Sequence, residues 1–288
     1  MLYRRKEDEM IHINLVGMGR FGKDTIERFR IDNLKCFGAS KNGLIRMIVN
    51  ENDVASICHI VYENKVYDNM DNLIPWNDEE IEAERTTKSL LILVGEDTDV
   101  SFKMFQMAAV SLLGNAEFKR IAFLHGEDST LNNGLINQQI DHVFKCGSSG
   151  ETAEMIRMFL ESIYFDKYDV CASEWINTRQ LFGRSKSIKL AYESALYNSR
   201  KEDEFDIRKL IIKTTEMLLK NINPFKKYIA CILIEGNITL AALNIVMDAF
   251  RELTDNFQIE DEKLSIASHV DERMYNCMIF LYEIDESL

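Results

Sequence analysis

Residues 11–29, IHINLVGMGRFGKDTIERF, join a buried-strand pattern, a glycine motif and an amphipathic helix pattern in one continuous stretch. The first six residues are apolar or β-favouring in an almost unbroken run, which is typical of a strand buried on both faces of a parallel sheet. Gly17, Gly19 and Gly22 follow as a G-x-G-x-x-G turn. A strand, a glycine turn and a helix in this order direct backbone N–H groups, at the positive end of a helix dipole, towards one point. Such a point suits a phosphate.

The same three glycines also have a purely structural interpretation, because a helix that packs closely on a strand needs glycines at the contact. The motif alone does not separate the two interpretations. Arg20, inside the motif, is equally open to two readings. Its guanidinium would add a cation for a bound phosphate, or its side chain would fill the site.

Length and composition limit the classes of function. At 288 residues the chain is long enough for two subdomains. It has 47 acidic and 34 basic residues, a formal net charge of -13, which argues against nonspecific binding to nucleic acid or to an anionic membrane. The six scattered cysteines form no C-x-x-C motif and are expected to be reduced, as in a cytoplasmic protein. The sequence predicts neither a leader peptide nor a membrane span.

The first half alternates strand and helix patterns. Residues 90–94, LLILV, predict a buried strand, and Gly95 opens a second strand-to-helix turn, GEDTDVSF. Further strands are predicted at residues 44–49, 121–124 and 142–146. This alternation predicts a doubly wound parallel sheet in a Rossmann-like nucleotide-binding subdomain, residues 1–146. Another strand, predicted at residues 34–39, is not followed by the acid that would hold a ribose in a nicotinamide site.

The second half has a different rhythm. Residues 151–164 predict an amphipathic helix, which we place in a bridging segment, residues 147–166. Residues 167–288 predict an α+β subdomain with a mainly antiparallel sheet. Its last two strands, residues 264–269 and 275–284, are predicted to form a hairpin joined by the acid-containing turn VDERM.

This order of elements resembles the FtsZ/tubulin family. Residues 13–29 look like the first strand and glycine loop of that family, and residues 90–102 stand where its second glycine loop belongs. SEWINTRQLF, residues 173–182, is similar to its synergy-loop segment. The resemblance is strongest at the end of the chain, in CILIEGNITLAALNIVMDAF and KLSIASHVDERMYNCMIFLYEI, residues 231–250 and 263–284.

The resemblance implies a cytoskeletal, cell-division type of protein that binds GTP or GDP and polymerises head to tail, with adaptor proteins as further partners. It implies a nucleotide-binding subdomain, a central helix and an activation-type subdomain. Residues of the two phosphate loops would be Gly17, Gly19, Arg20, Gly22, Gly95 and Thr98. Glu174 and Asn177 would stand where the family has two acids that polarise the attacking water, in a GTPase site shared between subunits.

The chain departs from the family at both loops. The second loop carries Glu96, Asp97 and Asp99 in place of glycines. A carboxylate about 4 Å from a phosphate charge costs about 1 kcal/mol in water and about 4 kcal/mol at an effective dielectric constant of 20. A Mg²⁺ ion between them would relieve this repulsion. Asn177 cannot accept a proton, so hydrolysis is expected to be weak or absent.

Two alternatives stay open at this point. The first is an FtsZ-like scaffold that assembles without nucleotide. The second is a Rossmann nucleotide-sensing module of the kind that regulates potassium uptake, because GMGRFG also resembles the glycine loop of that module.

Overall fold

The computed structural model describes residues 11–29, 44–50, 53–62, 65–67, 88–96, 117–126, 140–164, 169–170, 181–182, 185, 187–196, 203–220, 222–236, 238, 240–267 and 274–284. The chain divides into two compact units, Met1–Glu154 and Met155–Leu288. The predicted strand at residues 34–39 lies outside the described residues. The predicted subdomain bounds, with a separate bridging segment, stay a prediction.

Unit 1 contains a seven-stranded sheet. Its strands are β1 (Ile11–Met18), β2 (Leu44–Asn50), β3 (Asp53–Tyr62), β4 (Lys65–Tyr67), β5 (Lys88–Glu96), β6 (Glu117–His125) and β7 (His142–Cys146). Their order across the sheet is β4-β3-β2-β1-β5-β6-β7. The parallel part of the sheet consists of β2, β1, β5, β6 and β7. Beyond β2, the edge is extended by β3 and β4, each antiparallel to its neighbour. The predicted doubly wound parallel sheet is confirmed, with this antiparallel extension as an addition.

Helix α1 (Gly19–Arg28) packs on this sheet because its sequence is amphipathic. Phe21, Thr25 and Ile26 are buried against the sheet, whereas Lys23, Glu27 and Arg28 are exposed. The centre of the sheet is apolar, with fully buried side chains on neighbouring strands at Leu15, Ile92, Val94, Ile121 and Phe123. Continuous burial of this kind is what the uninterrupted apolar run of β5 predicts.

Unit 2 contains a five-stranded mixed sheet. Its strands are β8 (Asp169–Val170), β9 (Ile188–Leu196), β10 (Lys227–Glu235), β11 (Gln258–Ala267) and β12 (Met274–Ile284), in the order β8-β11-β10-β12-β9. Three of the four strand pairs are antiparallel and the β10–β11 pair is parallel. The mainly antiparallel sheet is therefore confirmed.

Within the described part of the chain, three helices with defined bounds belong wholly or partly to unit 2. Helix α2 (Ser149–Tyr164) begins in unit 1 and ends in unit 2, followed by α3 (Asp203–Leu219) and α4 (Leu240–Thr254). One face of the sheet forms an apolar core with α3 and α4, which includes Ile211, Ile232, Phe250 and Ile279. On the other face the ring of Phe159, in α2, contacts the rings of Phe182 and Phe280.

The predicted terminal hairpin is wrong. Strands β11 and β12 do not pair with each other, because β10 lies between them. Helix α4 returns the chain so that β11 is parallel to β10, as in a βαβ unit. β12 is buried along nearly its whole length and takes the other side of β10, where β9 covers its far edge. β11 begins six residues earlier than predicted, since its first half is polar and partly exposed.

Candidate functional site

The candidate site lies at the carboxyl edge of the unit 1 sheet, where the direction of strand order reverses. From β1 the chain first adds β2 on one side and later crosses to add β5 on the other side. Gly17 of β1 lies opposite Val94 of β5, so the loops that leave these strands begin side by side. Open α/β sheets bind ligands at such a reversal, outside the carboxyl ends of the strands.

Two of the three motif glycines are required by packing. A Cβ atom on Gly17 would lie 2.5 Å from the carbonyl oxygen of Gly22 and 2.6 Å from Cγ1 of Ile26. A Cβ atom on Gly22 would lie 2.4 Å from the carbonyl oxygen of Val94. Because these contacts are mainly with backbone atoms, no side-chain rotation relieves them. Gly17 and Gly22 therefore set the close approach of α1 to β1 and β5.

Gly19 has a different role. Its φ of 64° lies in the left-handed region, which a residue with a Cβ atom adopts only at a cost. This residue begins α1 and turns the chain from the strand into the helix. The turn leaves the first backbone N–H groups of α1 at the carboxyl edge of the sheet.

The charges at the beginning of α1 favour an anion. Acidic side chains in the first helical turn interact favourably with the helix dipole. The first turn of α1 has none and carries the exposed Arg20 instead. Arg20 makes no ion pair with another described residue, whereas the nearby Lys23 lies 3.9 Å from Glu27. The Arg20 guanidinium is exposed, so it does not fill the interior of the site.

The beginning of α2 does not offer a comparable site. The backbone N–H and the hydroxyl group of Ser148 donate to Oε2 of Glu151, at 2.8 and 3.0 Å, and the Glu151 N–H donates to the Ser148 hydroxyl. This reciprocal capping box satisfies N–H groups at the helix terminus and places a negative charge there. An anion would be repelled by the Glu151 carboxylate. Of the two termini, α1 is therefore the one suited to a phosphate.

The second predicted loop is described only at its beginning. Gly95 is buried near the end of β5, next to the end of β1, and Glu96 is the last residue of the strand. The half-buried Glu96 lies opposite His125 of β6. Thr98 lies outside the described residues, as do Asp97 and Asp99.

Sequence reasoning missed His125, which forms part of this edge. Its ring stacks on the ring of Phe21, with centroids 4.6 Å apart and ring planes at 11°. His125 Nδ1 lies 3.4 Å from the carbonyl oxygen of Cys146, which accepts a hydrogen bond when that nitrogen carries the proton. Its position in the sequence could have indicated it, because His125 is the last residue of a buried strand, as Glu96 is. Burial raises the pKa of the Cys146 thiol to about 11, so the thiol is neutral near pH 7.

Solved structures provide a comparison over both units. An empty FtsZ dimer from M. jannaschii aligns with 96% of this chain and 88% of its own, with a TM-score of 0.53 and 10% identity. CetZ from Methanosaeta thermophila strain DSM 6194 aligns with 96% of this chain and 86% of its own, with a TM-score of 0.51 and 14% identity. This chain has the FtsZ/tubulin fold. No protein-family model matches the sequence, and no curated protein does so either.

The FtsZ/tubulin fold confirms the predicted fold class, including its activation-type second half. The alternative of a Rossmann nucleotide-sensing module does not predict such a second half.

Glu174 and Asn177, the predicted catalytic pair, lie outside the described residues. Within the described ranges, no three His, Cys, Asp or Glu side chains are grouped so that they could hold a metal ion. None of the helices in those ranges combines the length and apolar character needed to cross a bilayer.

Proposed function

We propose that unit 1 binds a guanine nucleotide with its phosphates at the beginning of α1, and that the protein self-associates. The reversal of strand order between β1 and β5 carries the proposal, because it places an acid-free helix terminus with a left-handed glycine at the edge where such sheets bind ligands. Gly17, Gly19, Arg20 and Gly22 form the first phosphate loop, and Gly95 and Thr98 belong to the second.

Self-association is supported by the fold. The aligned FtsZ structure is a dimer, and the likeness extends over nearly the whole of this chain. We propose a head-to-tail homopolymer or dimer in the cytoplasm, with adaptor proteins as further partners. The choice of guanine follows from the resemblance of the glycine loops to the FtsZ/tubulin family.

Hydrolysis of the bound nucleotide is proposed to be slow or absent. Glu174 supplies one of the two acids that the family uses to polarise water, and Asn177 replaces the other. Because the family completes this site from a neighbouring subunit, turnover would depend on assembly. A mixture of Glu174→Ala and Gly19→Trp chains tests this dependence. If the unchanged protein hydrolyses GTP, no recovery of the GTPase rate at any mixing ratio would refute a shared site.

The second candidate function is a scaffold that assembles without nucleotide. Glu96 favours it, since its carboxylate lies at the edge where phosphate would bind. A Mg²⁺ ion held between the carboxylate and the phosphate would reconcile Glu96 with the first proposal. The requirement for Mg²⁺ therefore distinguishes the two candidates.

Calorimetric titration with GTP, GDP, ATP and NADH, with and without Mg²⁺, tests nucleotide binding directly. Arg20→Glu and Arg28→Glu are matched variants, since both lie on α1 and change the net charge equally. We expect Arg20→Glu to lower GTP affinity at least tenfold and Arg28→Glu, at the opposite end of α1, to leave it within twofold. Equal losses in both variants would contradict a phosphate at the helix terminus.

Light scattering in the same solutions tests self-association. Scattering that rises with GTP and Mg²⁺ supports the first proposal. Assembly that is indifferent to nucleotide, together with no heat of GTP binding, supports the scaffold.

A further inference from the structure

We propose that the stacked pair of Phe21 and His125 is a platform on which the nucleoside part of the bound nucleotide rests. The inference depends on the proposed nucleotide site and extends it sideways along the sheet, from the beginning of α1 to the end of β6.

The location of the pair supports a ligand role. Residues at the same register on neighbouring strands point to the same side of the sheet, so Glu96, His125 and Cys146 share one side. Gly17 belongs to that side too, because a Cβ atom there would point into α1. His125 therefore lies on the side that α1 covers, and Phe21, in the first turn of α1, touches it.

The spacing also suits one nucleotide. β6 is the second strand from β1, and strands lie about 4.8 Å apart, so the end of β6 is about 10 Å from the end of β1 across the sheet. A phosphate held at the first turn of α1 would leave the attached sugar and base to lie along this edge. Among the described residues on the β6 side, His125 presents an exposed ring at this edge.

Two neighbours orient the ring of His125. Phe21, which is itself buried, stacks on the ring, and Nδ1 lies 3.4 Å from the carbonyl oxygen of Cys146, which accepts a hydrogen bond when Nδ1 carries the proton. His125 nevertheless remains exposed, so contact with Phe21 leaves part of the residue accessible. A flat, pre-oriented ring accepts a base at a lower entropic cost than a mobile side chain.

The test compares GTP with inorganic tripolyphosphate, which has the phosphates and lacks the nucleoside. We expect His125→Ala to weaken GTP binding about tenfold and to leave tripolyphosphate affinity within twofold. His125→Phe keeps a flat ring and should hold GTP affinity within threefold of the unchanged protein. His125→Gln keeps polar hydrogen-bonding groups without a ring and should behave like His125→Ala.

The outcomes separate this inference from the proposed function. If GTP and tripolyphosphate bind the unchanged protein and His125→Ala weakens neither, or weakens both equally, the platform is refuted and the phosphate site stands. If His125→Gln retains GTP affinity and His125→Phe loses it, His125 acts through a hydrogen bond and the platform is again refuted. If neither ligand binds the unchanged protein, both proposals fail. Thermal melting of each variant confirms that unit 1 remains folded.

Discussion

Replacing Arg157 by methionine should destabilise unit 2 far more than the loss of a surface ion pair would. Arg157, in α2, is buried together with Glu161 and Glu235, and Glu235 is fully inaccessible. Nη1 of Arg157 donates to Oε1 of Glu235 at 2.9 Å and to Oε2 of Glu161 at 2.5 Å, while Nη2 donates to Oε2 of Glu235. The single guanidinium thus pairs with two carboxylates that have little access to water.

Two further hydrogen bonds join the cluster to β9 and β12. Nδ2 of Asn276, in β12, donates to Oε2 of Glu235 at 3.3 Å, and the hydroxyl of Tyr192, in β9, donates to Oδ1 of Asn276 at 3.1 Å. Removing one partner of a buried ion pair costs about 3–5 kcal/mol, since the charge that remains buried loses that partner. Arg157→Met should therefore lower the free energy of unfolding by about 3–5 kcal/mol.

Arg208→Met is the matched control. Arg208 pairs with Glu252 at 2.5 Å, but their side chains are 40% and 65% exposed, so this change should cost at most about 1 kcal/mol. Urea unfolding followed by circular dichroism measures both, and an unchanged m-value shows that the same surface is exposed on unfolding. A loss below about 1 kcal/mol for Arg157→Met would show that the guanidinium does not compensate the buried carboxylates.

Two further predictions use the glycine contacts and the buried thiols. Gly17→Ala should destabilise unit 1 by about 1–3 kcal/mol through overpacking, whereas Gly150→Ala, whose Cβ atom meets nothing within 4 Å, should be neutral or stabilising by thermal melting. Burial raises the pKa of Cys231 and of Cys277 from 9.0 to about 12, so stability that is complete below pH 9 should be lost as pH rises towards 12. In that window each thiol lowers the free energy of unfolding by about 1.4 kcal/mol for every pH unit. Cys231→Ala removes one of the two thiols, so the urea midpoint should depend less steeply on pH. An unchanged slope in this variant would contradict a buried neutral thiol.

Local patterns predicted the elements well. The strand at residues 142–146 was predicted at its observed bounds, and the helix predicted at residues 151–164 begins two residues earlier, at Ser149. These segments have long apolar runs or helical periodicity, which are properties of neighbouring residues. The partner of a strand is a non-local property, and the terminal hairpin failed for that reason. A short turn suggested pairing between adjacent strands, whereas the crossover through α4 determined the order.

The buried polar contacts were harder to predict for the same reason. Arg157 and Glu235 are separated by 78 residues, and each looks like an ordinary charged residue in its own segment. The Phe21–His125 stack likewise joins a helix to a strand two places away in the sheet. Of the candidate site, the sequence therefore indicated the glycine loop, and the fold was needed to show which other side chains reach the same edge.

The glycine motif itself separates into two parts with different explanations. Gly17 and Gly22 are required by helix–strand packing whether or not a ligand binds, so their presence is no evidence for a phosphate. Arg20 is different, because packing does not require an exposed cation and the helix dipole disfavours one at that terminus. Replacing Arg20 by glutamate should raise the free energy of unfolding of the ligand-free protein by about 0.3–1 kcal/mol. The same change should remove the attraction that Arg20 provides for an anion. If both effects are measured, anion binding explains why the first turn of α1 carries Arg20, and a scaffold without nucleotide does not.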